Sequence, residues 1–102
     1  MEILEISIEE AKKHLDEGKT SFIDIRDSGS FEAGHIEGAL SLNETNLDQY
    51  LATADKENVH IIYCYHGNSS KGASGFFQEQ GFAKVYSMSG GFTEWAKIYN
   101  EN

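Results

Sequence analysis

The chain has 102 residues, with eight Lys and Arg against seventeen Asp and Glu and a formal charge of −9. That length fits one domain, which would bury roughly 60–70% of the surface its unfolded chain exposes. The negative charge repels nucleic-acid phosphates and anionic membranes, so neither is expected as a partner, and no run of about 18 apolar residues offers a membrane span. The segment Met1-Glu2-Ile3-Leu4-Glu5 has neither a basic region nor an apolar run long enough for export. An intracellular, cytoplasmic protein is expected.

In chain order, Ser7-Ile8-Glu9-Glu10 matches a capping box, and Ile8, Ala11 and Leu15 share one helical face before Gly18 stops the helix. Ser21–Ile25 reads as a strand, and 26–38 as a loop with at most a short helix around Phe31. Ala39–Leu42 is a candidate short strand. Asn46 offers a second cap for a helix whose apolar stripe is Leu47, Tyr50, Leu51 and Ala54. Val59–Tyr63 is apolar and rich in branched and aromatic residues, as a buried strand would be. Lys71–Gln80 reads as a helix stopped by Gly81, Lys84–Met88 as a strand, Gly90-Gly91 as a turn and Phe92–Tyr99 as a closing helix. Strands alternating with helices imply an α/β fold with a mainly parallel sheet covered on both faces.

Cys64 is the only cysteine, and it stands where the strand Val59–Tyr63 meets the polar loop Tyr65-His66-Gly67-Asn68-Ser69-Ser70. This junction joins a strand's carboxyl end to a helix's amino end. Free N–H groups and the helix dipole there favour an anion, whether thiolate, persulfide or bound oxyanion, and a thiol so placed ionises more easily than a free one. Gly67 supplies the backbone freedom for the loop to curl its amides toward the sulfur as an anion-binding nest. A lone cysteine excludes an internal disulfide, a C-x-x-C pair and a multi-thiolate zinc site. Any group held covalently on Cys64 must leave to an external acceptor.

The run Cys64-Tyr65-His66-Gly67-Asn68-Ser69-Ser70-Lys71-Gly72 closely resembles the active loop of small single-domain bacterial rhodaneses, which are thiosulfate sulfurtransferases. The closest likeness is to the type associated with glycerol-3-phosphate metabolism genes. Two further segments agree in order and spacing: Phe22-Ile23-Asp24-Ile25-Arg26-Asp27 with Phe31 and Gly34-His35-Ile36-Glu37-Gly38-Ala39, and Ser89-Gly90-Gly91-Phe92 with Trp95. The resemblance implies that residues 1–102 form a single rhodanese domain with about five strands and the active loop at the carboxyl end of a central strand. It also implies a double displacement: Cys64 takes the outer sulfur of thiosulfate, expels sulfite and is left as a persulfide. Cyanide or a thiol acceptor, such as a thioredoxin-like dithiol protein, then removes the sulfur. The resemblance makes Cys64 the nucleophile and Tyr65, His66, Gly67, Asn68, Ser69 and Ser70 the substrate cradle, without a cofactor.

Beside these roles stand plainer ones. His66 stabilises the thiolate or acts as a base, or else faces solvent. The Ser69 and Ser70 hydroxyls donate to the persulfide or substrate, or cap the following helix. Asp24, Arg26 and Asp27 bind substrate or, in the preferred reading, form a structural ion-pair network. Whether His66, Lys71 or Arg26 assists the reaction is open at this stage. His35, His60 and His66 with Cys64 are metal-ligand types, but their scattered spacings match no zinc signature and His14 falls on a charged helix face, so no metal is expected. The loop has no cation before Lys71, unlike the long two-domain rhodaneses, so weak thiosulfate recognition is expected. A Cys-dependent phosphatase would need an arginine six residues after Cys64, where this chain has Ser70. A non-catalytic rhodanese-like module for binding or regulation is the alternative from another class, though such modules often lack the cysteine.

Overall fold

The computed structural model describes residues 2–99; Met1 and 100–102, which the expected 1–102 domain includes, lie outside the described residues. Helix α1 (Ile8–Glu17) begins as the sequence predicts: the Ser7 hydroxyl accepts from the Glu10 N–H at 3.1 Å, and Gly18, at φ +77°, returns its N–H to the carbonyls of His14 and Leu15. Strands β2 (Ser21–Asp24), β3 (Leu40–Ser41), β4 (Val59–Tyr63) and β5 (Lys84–Met88) fall where apolar runs predict them. A further strand, β1 (Glu5–Ile6), lies in a segment that carries no strand signal of its own; two residues become a strand only because β5 offers a free edge.

The remaining helices are α2 (Ser28–Ala33), α3 (Leu47–Thr53), α4 (Ser69–Glu79) and α5 (Gly91–Tyr99). Three details differ from expectation. Asn46 precedes α3 but does not cap it: its side chain accepts from the Asn43 N–H and donates to the Ser41 carbonyl, stitching the preceding loop instead. Helix α4 starts two residues before Lys71, and α5 starts at Gly91 rather than Phe92. In both cases the early start follows from contacts around Cys64.

All five strands are parallel, in the order β1-β5-β4-β2-β3, so β4 is central. Period-two alternation then divides each strand between two cores. On one face Phe22, Ile61, Tyr63 and Met88 meet Ile8 and Ala11 of α1 and Trp95 of α5. On the other, Ile23, Ile62 and Val85 meet Phe77 of α4, with Leu47, Tyr50 and Leu51 of α3 packed alongside. Each fully buried side chain of this size contributes about 1.5–3 kcal/mol relative to exposure.

This topology places a crevice. From β2 the chain moves outward to β3, whereas from β4 it moves the opposite way to β5, so the connections diverge at the carboxyl ends of β2 and β4. The register pairs Asp24 with Tyr63, and the Ile25 N–H donates to the Tyr63 carbonyl at 3.1 Å. Arg26 and Cys64 therefore leave the sheet at the same level, one on each lip.

Candidate active site

Cys64 follows the last residue of β4 and is 5% exposed, with a free thiol. Its Sγ accepts from the backbone N–H of Gly67 at 3.2 Å and of Ser70 at 3.3 Å. Ser70 Oγ lies 3.4 Å from the sulfur, a pair in which the thiol donates while protonated and the hydroxyl donates once the sulfur is ionised. Burial by itself pushes the thiol up. The Ser70 hydroxyl outweighs it together with the amides of Ser70, Gly67 and His66, and the net displacement from an ordinary thiol is downward.

The same contacts explain the early start of α4. Its N-cap, Asn68, makes no side-chain capping bond. The orphan amides that a cap would satisfy are turned to sulfur, so the cysteine is in effect the anion at the helix terminus. Neither Ser69 nor Ser70 caps the helix: Ser69 is exposed, and Ser70, fully buried, faces Cys64 and the hydroxyl of Ser87 on β5 at 2.7 Å.

Two glycine positions let the loop close this tightly. Gly67 has φ +97°, and a Cβ there would sit 3.0 Å from the Gly90 N–H nitrogen. Gly91 has φ +62°, and a Cβ would come within 2.6 Å of the Cys64 carbonyl oxygen and closer still to Tyr65. That close approach brings the first amides of α5 onto the loop: Phe92 N–H donates to the Cys64 carbonyl at 2.8 Å and Thr93 N–H to the Tyr65 carbonyl at 3.0 Å. With the carbonyls drawn outward by α5, the amides are left pointing inward at the sulfur.

The other predicted cradle residues are spread around the rim. The side chains of His66, Asn68 and Ser69 are exposed and make no hydrogen bond to another described residue, so the cradle that the structure brings together is backbone plus the Ser70 hydroxyl. Tyr65 is 42% exposed and crosses the crevice: its hydroxyl donates to Asp27 Oδ1, beside Ser30. Held first by Tyr65 and then by the amide and hydroxyl of Ser30, the Asp27 carboxyl is lowered to about 2. Asp27 also caps α2 through the Ser30 N–H, so this tether joins the first turn of α2 to the residue after Cys64.

On the β2 lip, Asp24 is fully buried and Arg26 is 8% exposed. Arg26 Nη2 donates to Asp24 Oδ2 at 2.7 Å and to the Gly34 carbonyl at 2.6 Å, and Nε donates to Asp24 Oδ1 at 3.1 Å. Its guanidinium lies 4.2 Å from the Phe92 ring centroid, with the Tyr63 and Tyr65 rings at 5.7 and 5.6 Å. Asp24 and Arg26 thus form the closed structural pair that the preferred sequence reading expects, but Asp27 stands outside it, bound to Tyr65 and Ser30 instead. Lys71 Nζ stands 3.9 Å from Glu5 Oε2 on the edge strand, and no bond links it to the sulfur.

Other groups of chemical interest lie apart from the crevice. His60 is held between the Tyr50 hydroxyl and the Asn58 carbonyl, His35 stacks on Phe31, and His14 meets Thr20. Among the described residues no group of three or more His, Cys, Asp and Glu side chains comes together in a way that would hold a metal ion. No described helix is long and apolar enough to cross a membrane. A cavity of about 670 Å³ lined by Lys12, Asp16, His35 and Trp95, among others, contains no residue of the Cys64 loop.

Sequence reasoning passes over three residues of this site: Ser87, Asp27 as the partner of Tyr65, and Gly91 as the seat of α5. Ser87 carries a usable signal, a small polar residue on the alternation that also places Val85 inward. The pairing of Asp27 with Tyr65 spans 38 positions and leaves no local trace.

The sequence profile described as rhodanese-like domain matches residues 7–98. The chain is 44% identical over 96 residues, 94% of its own length and 91% of the relative's, to the thiosulfate sulfurtransferase GlpE of Pseudoalteromonas translucida (strain TAC 125). Among solved structures, it resembles the BH2092 protein of Bacillus halodurans with a TM-score of 0.78 and 28% identity, over 92% of this chain and 72% of that one. The human single-domain sulfurtransferase TSTD1 shares the fold with a TM-score of 0.83 at 21% identity, over 95% of this chain and 98% of that one. The profile, a close relative and the shared fold lead to one conclusion: this chain belongs to the rhodanese family.

Proposed function

We propose that this chain is a thiosulfate sulfurtransferase that carries sulfur as a persulfide on Cys64. The observation that carries the reading is the sulfur at the centre of an inward-facing amide cradle, 3.2 and 3.3 Å from the Gly67 and Ser70 nitrogens. The 44% identity to a protein named for this activity supports it. The Cys64 thiolate attacks the outer sulfur of thiosulfate. A new S–S bond forms, the bond to the sulfonate sulfur breaks, and sulfite leaves with the electron pair. In the second half, cyanide carbon or a thiolate acceptor attacks the outer sulfur of the persulfide, giving thiocyanate or an acceptor persulfide and returning the Cys64 thiolate. The loop amides and the Ser70 hydroxyl stabilise the thiolate both as attacking group and as leaving group.

On this reading the chain acts as one rhodanese domain, in the cytoplasm, with a thiol acceptor such as a dithiol protein of the thioredoxin type. The Gly67, Ser70 and His66 amides bind sulfur or sulfonate oxygen, while Asn68 and Ser69 line the exposed rim. Phosphomonoester hydrolysis is disfavoured by Ser70 in place of an arginine. The test is intact mass. Incubation with thiosulfate should add one sulfur atom at Cys64 and cyanide should remove it; unchanged mass under conditions that load a known rhodanese would overturn the proposal.

A further inference from the structure

Ser87 is 1% exposed on β5, held by its pairing with Ile62 of β4. Its hydroxyl lies 2.7 Å from that of Ser70, which lies 3.4 Å from Cys64 Sγ, so sulfur and two hydroxyls form a buried chain of three. Among the described residues the Ser87 hydroxyl has no other hydrogen-bond partner. A hydroxyl has one hydrogen to give and lone pairs to accept with, which leaves two alignments. In the first, the Cys64 thiol donates to Ser70 and Ser70 to Ser87, and the Ser87 hydrogen is buried without an acceptor. In the second, Ser87 donates to Ser70 and Ser70 to sulfur. The hydrogen then left over belongs to the thiol, a weak donor, and it disappears on ionisation. An unmet buried O–H is the costlier omission, so the presence of Ser87 favours the second alignment.

We propose that Ser87 is a positioning residue for the thiolate: its hydroxyl turns the Ser70 hydroxyl toward Cys64 Sγ and so favours ionised sulfur without touching substrate. The role rests on the reading of Cys64 as the sulfur-carrying nucleophile. On ionisation the thiol proton passes to solvent, and both serines keep their hydrogens. On the elements around the chain the charged side chains and histidines are Asp24 at the end of β2 with Arg26 just after it, His60 of β4, His66 on the loop, Lys71 and Glu79 of α4, Glu5 of β1, Lys84 of β5, and Glu94 and Lys97 of α5. None of them is hydrogen-bonded to the sulfur or to either hydroxyl. Donation from Ser87 polarises Ser70, and such chains strengthen cooperatively when they end on an anion.

The experiment measures the pH dependence of Cys64 alkylation by iodoacetamide in the full chain, with intact mass after thiosulfate recorded on the same proteins. Ser87→Ala should raise the midpoint by about half a pH unit, roughly a threefold fall in the thiolate-to-thiol ratio. Ser87→Thr, which keeps a hydroxyl, should stay nearer wild type than the isosteric Ser87→Val; this pair carries the test should the alanine variant fold poorly. In a Ser70→Ala background, Ser87→Ala should add nothing, because Ser87 acts only through Ser70. Equal midpoints for Thr and Val, or the same shift with and without Ser70, would overturn the role. If wild type takes up no sulfur, the sulfurtransferase reading fails while the midpoints still decide the role of Ser87; normal uptake with unmoved midpoints sinks the role alone.

Discussion

On the β2 lip of the crevice Arg26 is already committed to Asp24 and the Gly34 carbonyl, whereas on the β4 lip no charged side chain among the described residues is bonded to Cys64 and backbone amides stabilise the sulfur instead. The guanidinium beside the site is thus a structural group. A paired, buried guanidinium cannot turn to a substrate without abandoning a carboxylate that is 0% exposed. Amides at a helix terminus, by contrast, have no competing partner, and they are fixed in place before any anion arrives.

The largest test of this contrast replaces the sulfur. Cys64→Ser should keep the fold and lose sulfur uptake and turnover by at least about a thousandfold, because an alkoxide forms far less readily than a thiolate. A thiosulfate–cyanide assay reads this directly, and near-wild-type turnover would place the nucleophile elsewhere.

The β2 lip should break differently. Arg26→Met leaves Asp24 buried without its counter-ion and should lower stability by about 3–5 kcal/mol in urea unfolding. In the protein that remains folded, KM for thiosulfate should change little. A stable variant with a large rise in KM would instead make Arg26 a substrate ligand.

Between the lips sits the contact of α5 with the loop. Gly91→Ala forces a Cβ onto the carbonyls of Tyr65 and Cys64 at a left-handed backbone position, and should cost about 2–3 kcal/mol while impairing turnover more than the stability loss explains. Unchanged thermal melting and turnover would show that α5 does not shape the cradle.

Adding charge to the amide lip should have a smaller effect. Ser69→Lys, on the exposed rim, should raise kcat/KM for thiosulfate about fivefold at low salt, with the gain shrinking as salt is added, since a partly exposed charge near a dianion contributes on the order of 1 kcal/mol. A gain that is independent of salt would point to altered loop geometry rather than charge.

The smallest effect concerns protonation. The thiol is displaced downward, so its alkylation midpoint should lie below that of a free cysteine measured in the same buffer. Because the folded thiol is the stronger acid, its contribution to stability is present above the free cysteine's value and fades as pH falls through the lower folded one. His66→Ala retains the amide and should move the midpoint by less than about 0.3 pH units. A large upward movement would mean that the imidazole, and not the amides, holds the thiolate.

What could be read in advance follows physical range. The strand Val59–Tyr63, the capping box at Ser7 and the glycine stop at Gly18 are written in neighbouring residues, because burial, side-chain capping and left-handed backbone are local requirements. The Cys64 loop was legible for the same reason: a strand end, a glycine and a helix start lie within a few positions, and their juxtaposition implies an amide nest. The two-residue strand β1 was not legible, since Glu5–Ile6 becomes a strand only when β5 pairs with it.

By itself, then, the sequence determined an alternating α/β chain with its one thiol at the carboxyl end of a central strand, a family likeness along nearly its whole length, and the absence of a loop cation. Only the tertiary structure decided that Arg26 is closed off by the Gly34 carbonyl and the Phe92 ring, that Tyr65 is tethered to Asp27 across the crevice, that α5 draws the Cys64 and Tyr65 carbonyls outward, and that Ser87 stands behind Ser70. Each of these joins groups carried on different elements or set by how the loop folds back. A hydrogen bond is directional over about 3 Å, so such partners are fixed by how the elements pack and not by which residues are neighbours in the chain.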